Sequence, residues 1–387
     1  MQTRYGTMLI FAISFTLFWV LILIISLIMN KGAIGKRLSL LFLFITITIL
    51  VSIRCNSGSD YYNYYLMYNT ITDFYSSGSQ ILMSNYQFGY PLLCFFIKKI
   101  TDNSNAIFFV VSILSMIAPA WLIRKYSPFP ILSYAILTLG GYLLISTNIL
   151  KQVLAMSIIM FAIDRLLKKK YFSFVVCTLI ASTFHITSLV AFAVLPFIKL
   201  IKLRKSFIFG GGVISLIAGF FSSYLLTLII RIPLFSRYQR YFSEQSSIGK
   251  EDYKLMINAI FLAMTLGLII IIILKFFNHY QIDYMEIFFF KLIIIAFFIA
   301  VFSINFFYVL RISFYFSQFL IIFIPIILND VKDRIKLKKY WTMIFIGLIF
   351  FSIIFCIVSG ENNYYNYSTI FDDIPMSVQD FVTFRNK

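Results

Sequence analysis

The sequence predicts an all-α, polytopic integral membrane protein of about twelve transmembrane helices. Three observations carry this. Of 387 residues, 61% are hydrophobic and only 12% charged, more oil than a water-soluble fold of this size can hide. The apolar residues gather in uncharged runs that approach or exceed the ~20 residues a helix needs to cross a bilayer. These runs are continuous, without the alternation of barrel strands. Finally, the lysines and arginines behind the net charge of +18 cluster between the runs, where they set orientation. That distribution argues against a nucleic-acid partner.

Five basic clusters order the spans: Lys31–Lys36–Arg37, Arg124–Lys125, Lys168–Lys169–Lys170, Lys199 through Lys205, and Lys332 through Lys339. Placing all five in the cytoplasm gives a consistent path with both termini outside. Thr7–Met29 runs inward and is too long for a signal-peptide core, so it is read as a retained helix. Leu38–Ile53 returns outward. The outer segment 54–103 follows, and within it Phe88–Ile97 is apolar but too short to span, as an interfacial or re-entrant helix would be. Ala106–Ile123 runs in, Ile131–Thr147 out and Ile149–Leu167 in.

Tyr171–Leu200 lies between two cytoplasmic clusters. It is read as two short or broken helices meeting at Phe184–Ser188, a break that membrane proteins tolerate where it lines a cavity. Ser206–Ile230 then exits to a second outer loop, 231–256, and Leu255–Leu274 returns. Ile287–Asn305, Val309–Leu328 and Thr342–Ser359 complete a single transmembrane domain spanning 1–387.

Polar residues in such a chain gather where there is work for them. On or near the outer side stand Arg54, Asp60, Tyr64, Gln87, Lys151, Gln152, His185, Arg231, Arg237, Arg240, Tyr241, Arg311 and Tyr315. The set is cationic and phenolic with few carboxylates, which suits an anionic head group such as pyrophosphate. Arg231, Arg237 and Arg240 lie outside against the usual bias, and Arg237 shares a helical face with Arg240 and Tyr241. An amphipathic helix resting on anionic lipid would look the same. Arg311 sits near the outer end of an apolar helix, where a charge marks a site or snorkels to the interface. His185 is a base for a hydroxyl proton or a packing residue at the helix break. Asp60 is a base, an orienter of arginine, or the N-cap of a helix starting at Tyr61. There is no P-loop, dinucleotide glycine pattern, HExxH or cysteine pair at metal spacing, so neither cofactor nor metal is expected.

Four patches resemble the EpsG-like, Wzy-type polysaccharide polymerases of bacteria. Gly58-Ser59-Asp60 through Tyr64 is similar to a G-x-D-x-x-x-Y motif. Gln87-Phe88-Gly89-Tyr90 is similar to E-x-G-Y, with glutamine for the acid. Lys151-Gln152-x-x-Ala155, the basic turn at 168–170, and Ala181-Ser182-Thr183-Phe184-His185-Ile186-Thr187-Ser188 follow a pattern of R-Q-x-x-A, a basic turn and A-x-x-F-H-x-S. Arg311-x-x-x-Tyr315 is the fourth.

The resemblance implies a GT-C-like bundle with broken helices near its outer face, in the bacterial inner membrane, with its active site on the periplasmic side. It implies inverting, metal-independent transfer of a glycan between undecaprenyl-pyrophosphate-linked repeat units. His185 or Asp60 would be catalytic. Read from the residues themselves, Arg237, Arg240, Arg311, Arg231, Lys151 and Arg54 are expected to hold pyrophosphate, and Tyr64, Gln87, Gln152, Tyr241 and Tyr315 to contact sugar. Membrane lipid and a chain-length regulator protein are the implied partners. An O-antigen ligase would use the same donor. A lipid-linked oligosaccharide flippase would bind the same head group, but it would show two similar halves.

Overall fold

The computed structural model of the protein describes residues 2–55, 57–58, 60–71, 87–200, 205–221, 224, 283–303, 307–329, 334–358 and 368–371. Arg231, Arg237, Arg240 and Tyr241, and the span expected at Leu255–Leu274, lie outside these residues.

In chain order the elements are α1 (Gln2–Met29), α2 (Gly32–Ser52), β1 (Arg54–Cys55), α3 (Tyr61–Thr70), α4 (Gly89–Lys98), α5 (Asn105–Tyr126), α6 (Pro130–Leu139), α7 (Tyr142–Asn148), α8 (Leu150–Leu167) and α9 (Tyr171–Phe184). A 3-10 helix (Ile186–Ala193) leads to α10 (Val194–Leu200) and α11 (Lys205–Phe220). Then come α12 (Tyr284–Phe302), α13 (Phe307–Ser317), α14 (Leu320–Asn329), α15 (Arg334–Val358) and β2 (Ser368–Thr369). Among the described residues, α1, α2, α5, α12 and α15 are long and apolar enough to cross a membrane. Counting two bent pairs as one span each gives up to seven. The chain is a multi-pass helical membrane protein.

Local chemistry explains the starts and stops. Pro130 opens α6, where its missing N–H costs nothing. Asp283 and Glu286 form a reciprocal capping box at the start of α12. Two expected spans prove discontinuous. Ile131–Thr147 is the pair α6 and α7, bent by 51°, and Val309–Leu328 is the pair α13 and α14, bent by 42°. At the first break Gly141 has φ +83°, and a β-carbon there would stand 3.3 Å from the Phe355 ring, so the turn requires glycine. At the second, the Gln318 side-chain amide donates to the carbonyls of Met156 and Tyr315, at 3.2 and 3.0 Å. A side chain inserted into the ladder in this way lets the helix bend. The break expected at Phe184–Ser188 is present: α9 ends at Phe184, and His185 is extended, with φ −150° and ψ 115°. The short helix expected near Phe88–Ile97 is α4, ten residues long.

The core centres on α8 and α12. Phe288, Phe289 and Phe290 are buried in succession, and Phe290 stacks on Phe323 at 5.8 Å. Ile10, Leu17, Leu21 and Ile28 of α1 face outward, as do Met343 and Phe350 of α15, which is the surface a lipid environment covers.

One tie holds α5 to α8 at their basic ends. The Asp164 carboxylate, its side chain fully buried, accepts hydrogen bonds from Lys125 and Tyr126, and Lys168 reaches it at 3.2 Å. The Lys125 ammonium also lies 4.3 Å from the Trp121 ring centroid. Removing one member of a buried charge cluster leaves the others uncompensated. Asp164→Asn is therefore expected to lower the melting temperature of the detergent-solubilised protein by several degrees, measured by intrinsic fluorescence. An unchanged melting temperature would show the tie to be dispensable.

Candidate functional site

Three helices carry a basic cluster toward one end: α2 holds Lys36 and Arg37 in its first turns, α5 ends at Arg124–Lys125, and α8 is followed by Lys168. At their other ends stand Arg54, just after α2, Asn105, which opens α5, and Lys151, in the first turn of α8. These ends meet, and the site forms there.

The Gly58–Asp60 turn rests on the break between α7 and α8. The Asp60 backbone N–H donates to Asn148 Oδ1 at 3.0 Å, and the Tyr61 N–H donates to the Gly58 carbonyl at 3.1 Å. Gly58 has φ +96°, and a β-carbon on it would lie 3.2 Å from Asn148 Oδ1 and 3.2 Å from the Thr147 carbonyl oxygen. Only glycine allows this approach. Asp60 occupies the N-cap position of α3 but makes no side-chain cap hydrogen bond. Of the three roles open to it in sequence, helix capping is removed.

α3 then delivers Tyr64 to the centre. Its phenol is buried, and burial raises its pKa above the ordinary tyrosine value, with Asp60 pushing the same way. The Lys151 backbone amide, Arg311 and Arg54 pull it back. Asp60, Arg54, Arg311 and the start of α8 are thus all within electrostatic reach of one phenol. Tyr64 packs on Tyr90 at 5.3 Å, and the Lys151 ammonium lies 5.4 Å from the Tyr90 ring centroid. Lys151 and Asp60 also act on each other.

Arg54 is fully buried under this layer. Its guanidinium donates to the Val51 carbonyl and lies 5.3 Å from the Phe108 ring centroid, and Phe108 in turn stacks on Tyr61 at 4.2 Å. The aromatic faces help to hold a desolvated cation.

The second half of the site hangs from α13. The Gln152 amide donates to the Arg311 carbonyl at 2.6 Å, which pins α13 to the first turn of α8. One turn on, Tyr315 is fully buried, with its hydroxyl 3.3 Å from His185 Nδ1. Thr187 Oγ1 lies 2.6 Å from the same nitrogen and donates to the Tyr315 hydroxyl at 3.2 Å. Gln87 precedes α4, two residues ahead of Gly89. A β-carbon on Gly89 would stand 2.6 Å from Thr183 Oγ1 and 3.1 Å from the Phe184 ring, so the second motif seats directly on the third.

Nine of the thirteen expected site residues fall within the described residues, and Arg54, Asp60, Tyr64, Lys151, Gln152, His185, Arg311 and Tyr315 form one connected neighbourhood. Tyr64, Gln152 and Tyr315, expected at the sugar, are buried and brace the frame. Two residues of this frame were not singled out from sequence. Asn148 follows Ser146 and Thr147 and belongs to none of the four patches. Thr187 gave a weak signal through its place two residues after His185. Among the described residues, no group of three or more metal-ligating side chains is present.

A protein-family profile described as the EpsG family matches residues 37–369. No curated protein and no solved structure shows a significant match.

Proposed function

Because the chain belongs to the EpsG family, we propose that it is a membrane-embedded polysaccharide polymerase acting on lipid-pyrophosphate-linked repeat units at the periplasmic face of the bacterial inner membrane. The observation that supports this most directly is the convergence of Lys151, Arg311 and Arg54 with Asp60 and Tyr64 on the first turn of α8. The positive end of a helix dipole and three cations are what a departing pyrophosphate requires. Lys151 and Arg311 are assigned the phosphates nearest the sugar, and Arg54 adds charge from below. Arg231, Arg237 and Arg240 are assigned the outer phosphate and lipid boundary, with Tyr241 and Gln87 toward the sugars.

In the proposed reaction an acceptor hydroxyl oxygen attacks the anomeric carbon of the growing chain. The bond from that carbon to the pyrophosphate oxygen breaks, the electron pair leaves on pyrophosphate, and the configuration inverts. The hydroxyl proton passes to His185. If Nδ1–H donates to Thr187 Oγ1 and Thr187 donates to Tyr315, the lone pair lies on Nε2, the tautomer a base needs. Imidazole titrates nearest neutral pH, which suits weak general-base work. No step uses a cofactor or metal. A GT-C-like arrangement, with the bent pairs α6–α7 and α13–α14 among its discontinuous helices, is part of this proposal, as is cooperation with a chain-length regulator.

The test is incubation of purified protein with undecaprenyl-pyrophosphate-linked oligosaccharide. A gel ladder spaced by one repeat unit is the expected result. Transfer only to a lipid A core acceptor would make it a ligase, and movement of the substrate across vesicles without bond formation would make it a flippase.

The proposed sidedness has its own expected outcome. In a cysteine-free background, a membrane-impermeant maleimide should label Asn103→Cys in intact spheroplasts, and Lys169→Cys only after membrane disruption. The reverse pattern would invert the assignment.

A further inference from the structure

We propose that Asn148 is the positioning residue that sets Asp60 beside Lys151, and that it acts through the Gly58–Asp60 turn without touching substrate; the catalytic consequence rests on the polymerase reading above. Asn148 is 3% exposed, which removes it from direct contact with a sugar. It ends α7, and Ile149, at φ −97° and ψ 57°, separates it from the first turn of α8. One atom of this side chain therefore fixes the turn relative to the residues that follow it, Lys151 and Gln152.

Three contacts define the turn. Two are made by backbone: Tyr61 N–H to the Gly58 carbonyl at 3.1 Å, and Tyr64 N–H to the Asp60 carbonyl at 3.3 Å. These shape the turn from within. The third, Asp60 N–H to Asn148 Oδ1 at 3.0 Å, crosses 88 residues of chain and anchors it. Gly58 approaches the same Oδ1 and the Thr147 carbonyl so closely that a β-carbon would stand 3.2 Å from each. The frame thus contains a matched pair, a glycine that permits contact and an amide that directs it. Losing the amide oxygen leaves a half-buried N–H without this acceptor and loosens the turn. Asp60 then drifts from Lys151, whose charge it faces.

Asn148→Leu keeps the shape and removes the acceptor, whereas Asn148→Asp keeps the acceptor. Hydrogen–deuterium exchange of the peptide covering Gly58–Tyr64, in the full-length protein in detergent, reads the anchor without any assay of function. Exchange is expected to quicken about tenfold in Asn148→Leu and to recover in Asn148→Asp. Turnover of lipid-linked repeat units is expected to fall about tenfold in Asn148→Leu at normal expression. In an Asp60→Asn background the leucine substitution is expected to cost nothing further, since both act through one group. Unchanged exchange in Asn148→Leu overturns the proposal, and so do losses that add in the double variant. Faster exchange alongside a wild-type protein that never elongates a glycan upholds the anchor and sinks the polymerase reading instead.

Discussion

His185→Ala is expected to lower glycan elongation by about 10²- to 10⁴-fold, the usual contribution of a positioned proton acceptor. Donor binding, measured with a non-transferable pyrophosphate lipid, should stay within about twofold, because the charges proposed to grip the phosphates lie on α8 and α13 rather than at the break after α9. The structure supplies internal controls. Thr187→Val and Tyr315→Phe each remove one hydroxyl from Nδ1 and leave the ring in place. Each should lose less than the alanine variant, and the loss should fall on turnover rather than on KM. Wild-type elongation by His185→Ala would pass the base role to Asp60, whose asparagine variant would then carry the large loss. Loss of donor binding in His185→Ala would instead place the imidazole at the pyrophosphate.

Arg311→Ala is expected to raise the donor KM by about 10- to 100-fold, corresponding to the loss of a charge-assisted hydrogen bond. Lys151→Ala should follow the same direction. Arg311→Lys should recover only part of the loss, since lysine restores charge but not the planar two-point grip. Replacing the side chain leaves the Arg311 carbonyl and its bond from Gln152 intact, so the seating of α13 on α8 is retained. A donor KM within about twofold of wild type for both alanine variants would remove pyrophosphate from this end of the bundle.

How much could be read in advance depends on what each feature leaves in a linear chain. The break at His185 was legible because a polar patch interrupts an apolar stretch that is too short to cross twice. The bends at Gly140–Gly141 and Gln318–Phe319 were not, because mean hydropathy stays high through a kink and says nothing of direction. The site residues were legible as types, since arginine, lysine, histidine and aspartate are costly in lipid and stand out there. Their grouping was not, because it depends on pairings between distant segments: Gln152 with Arg311, Gly89 with Phe184, Asn148 with Asp60. Asp164 was overlooked for a related reason. In Asp164-Arg165 it reads as one more charge at a helix end, and only the approach of Lys125 from α5 makes it a tie.

The short antiparallel ribbon has a consequence for how the protein is made. Arg54 pairs with Thr369 and Cys55 with Ser368, and the Ile370 N–H donates to the Ile53 carbonyl at 2.9 Å. The segment that leaves α2 therefore waits, during synthesis, for a partner more than three hundred residues downstream. Helices emerging from the ribosome can insert one after another, but this seam closes only after α15 has been made. Until then the stretch bearing Arg54 lacks its neighbour, and a nascent chain stalled before α15 would hold its spans without the seam. Tags or fusions appended close after Thr369 would act on the same late step, reducing the yield of assembled protein more than the amount inserted.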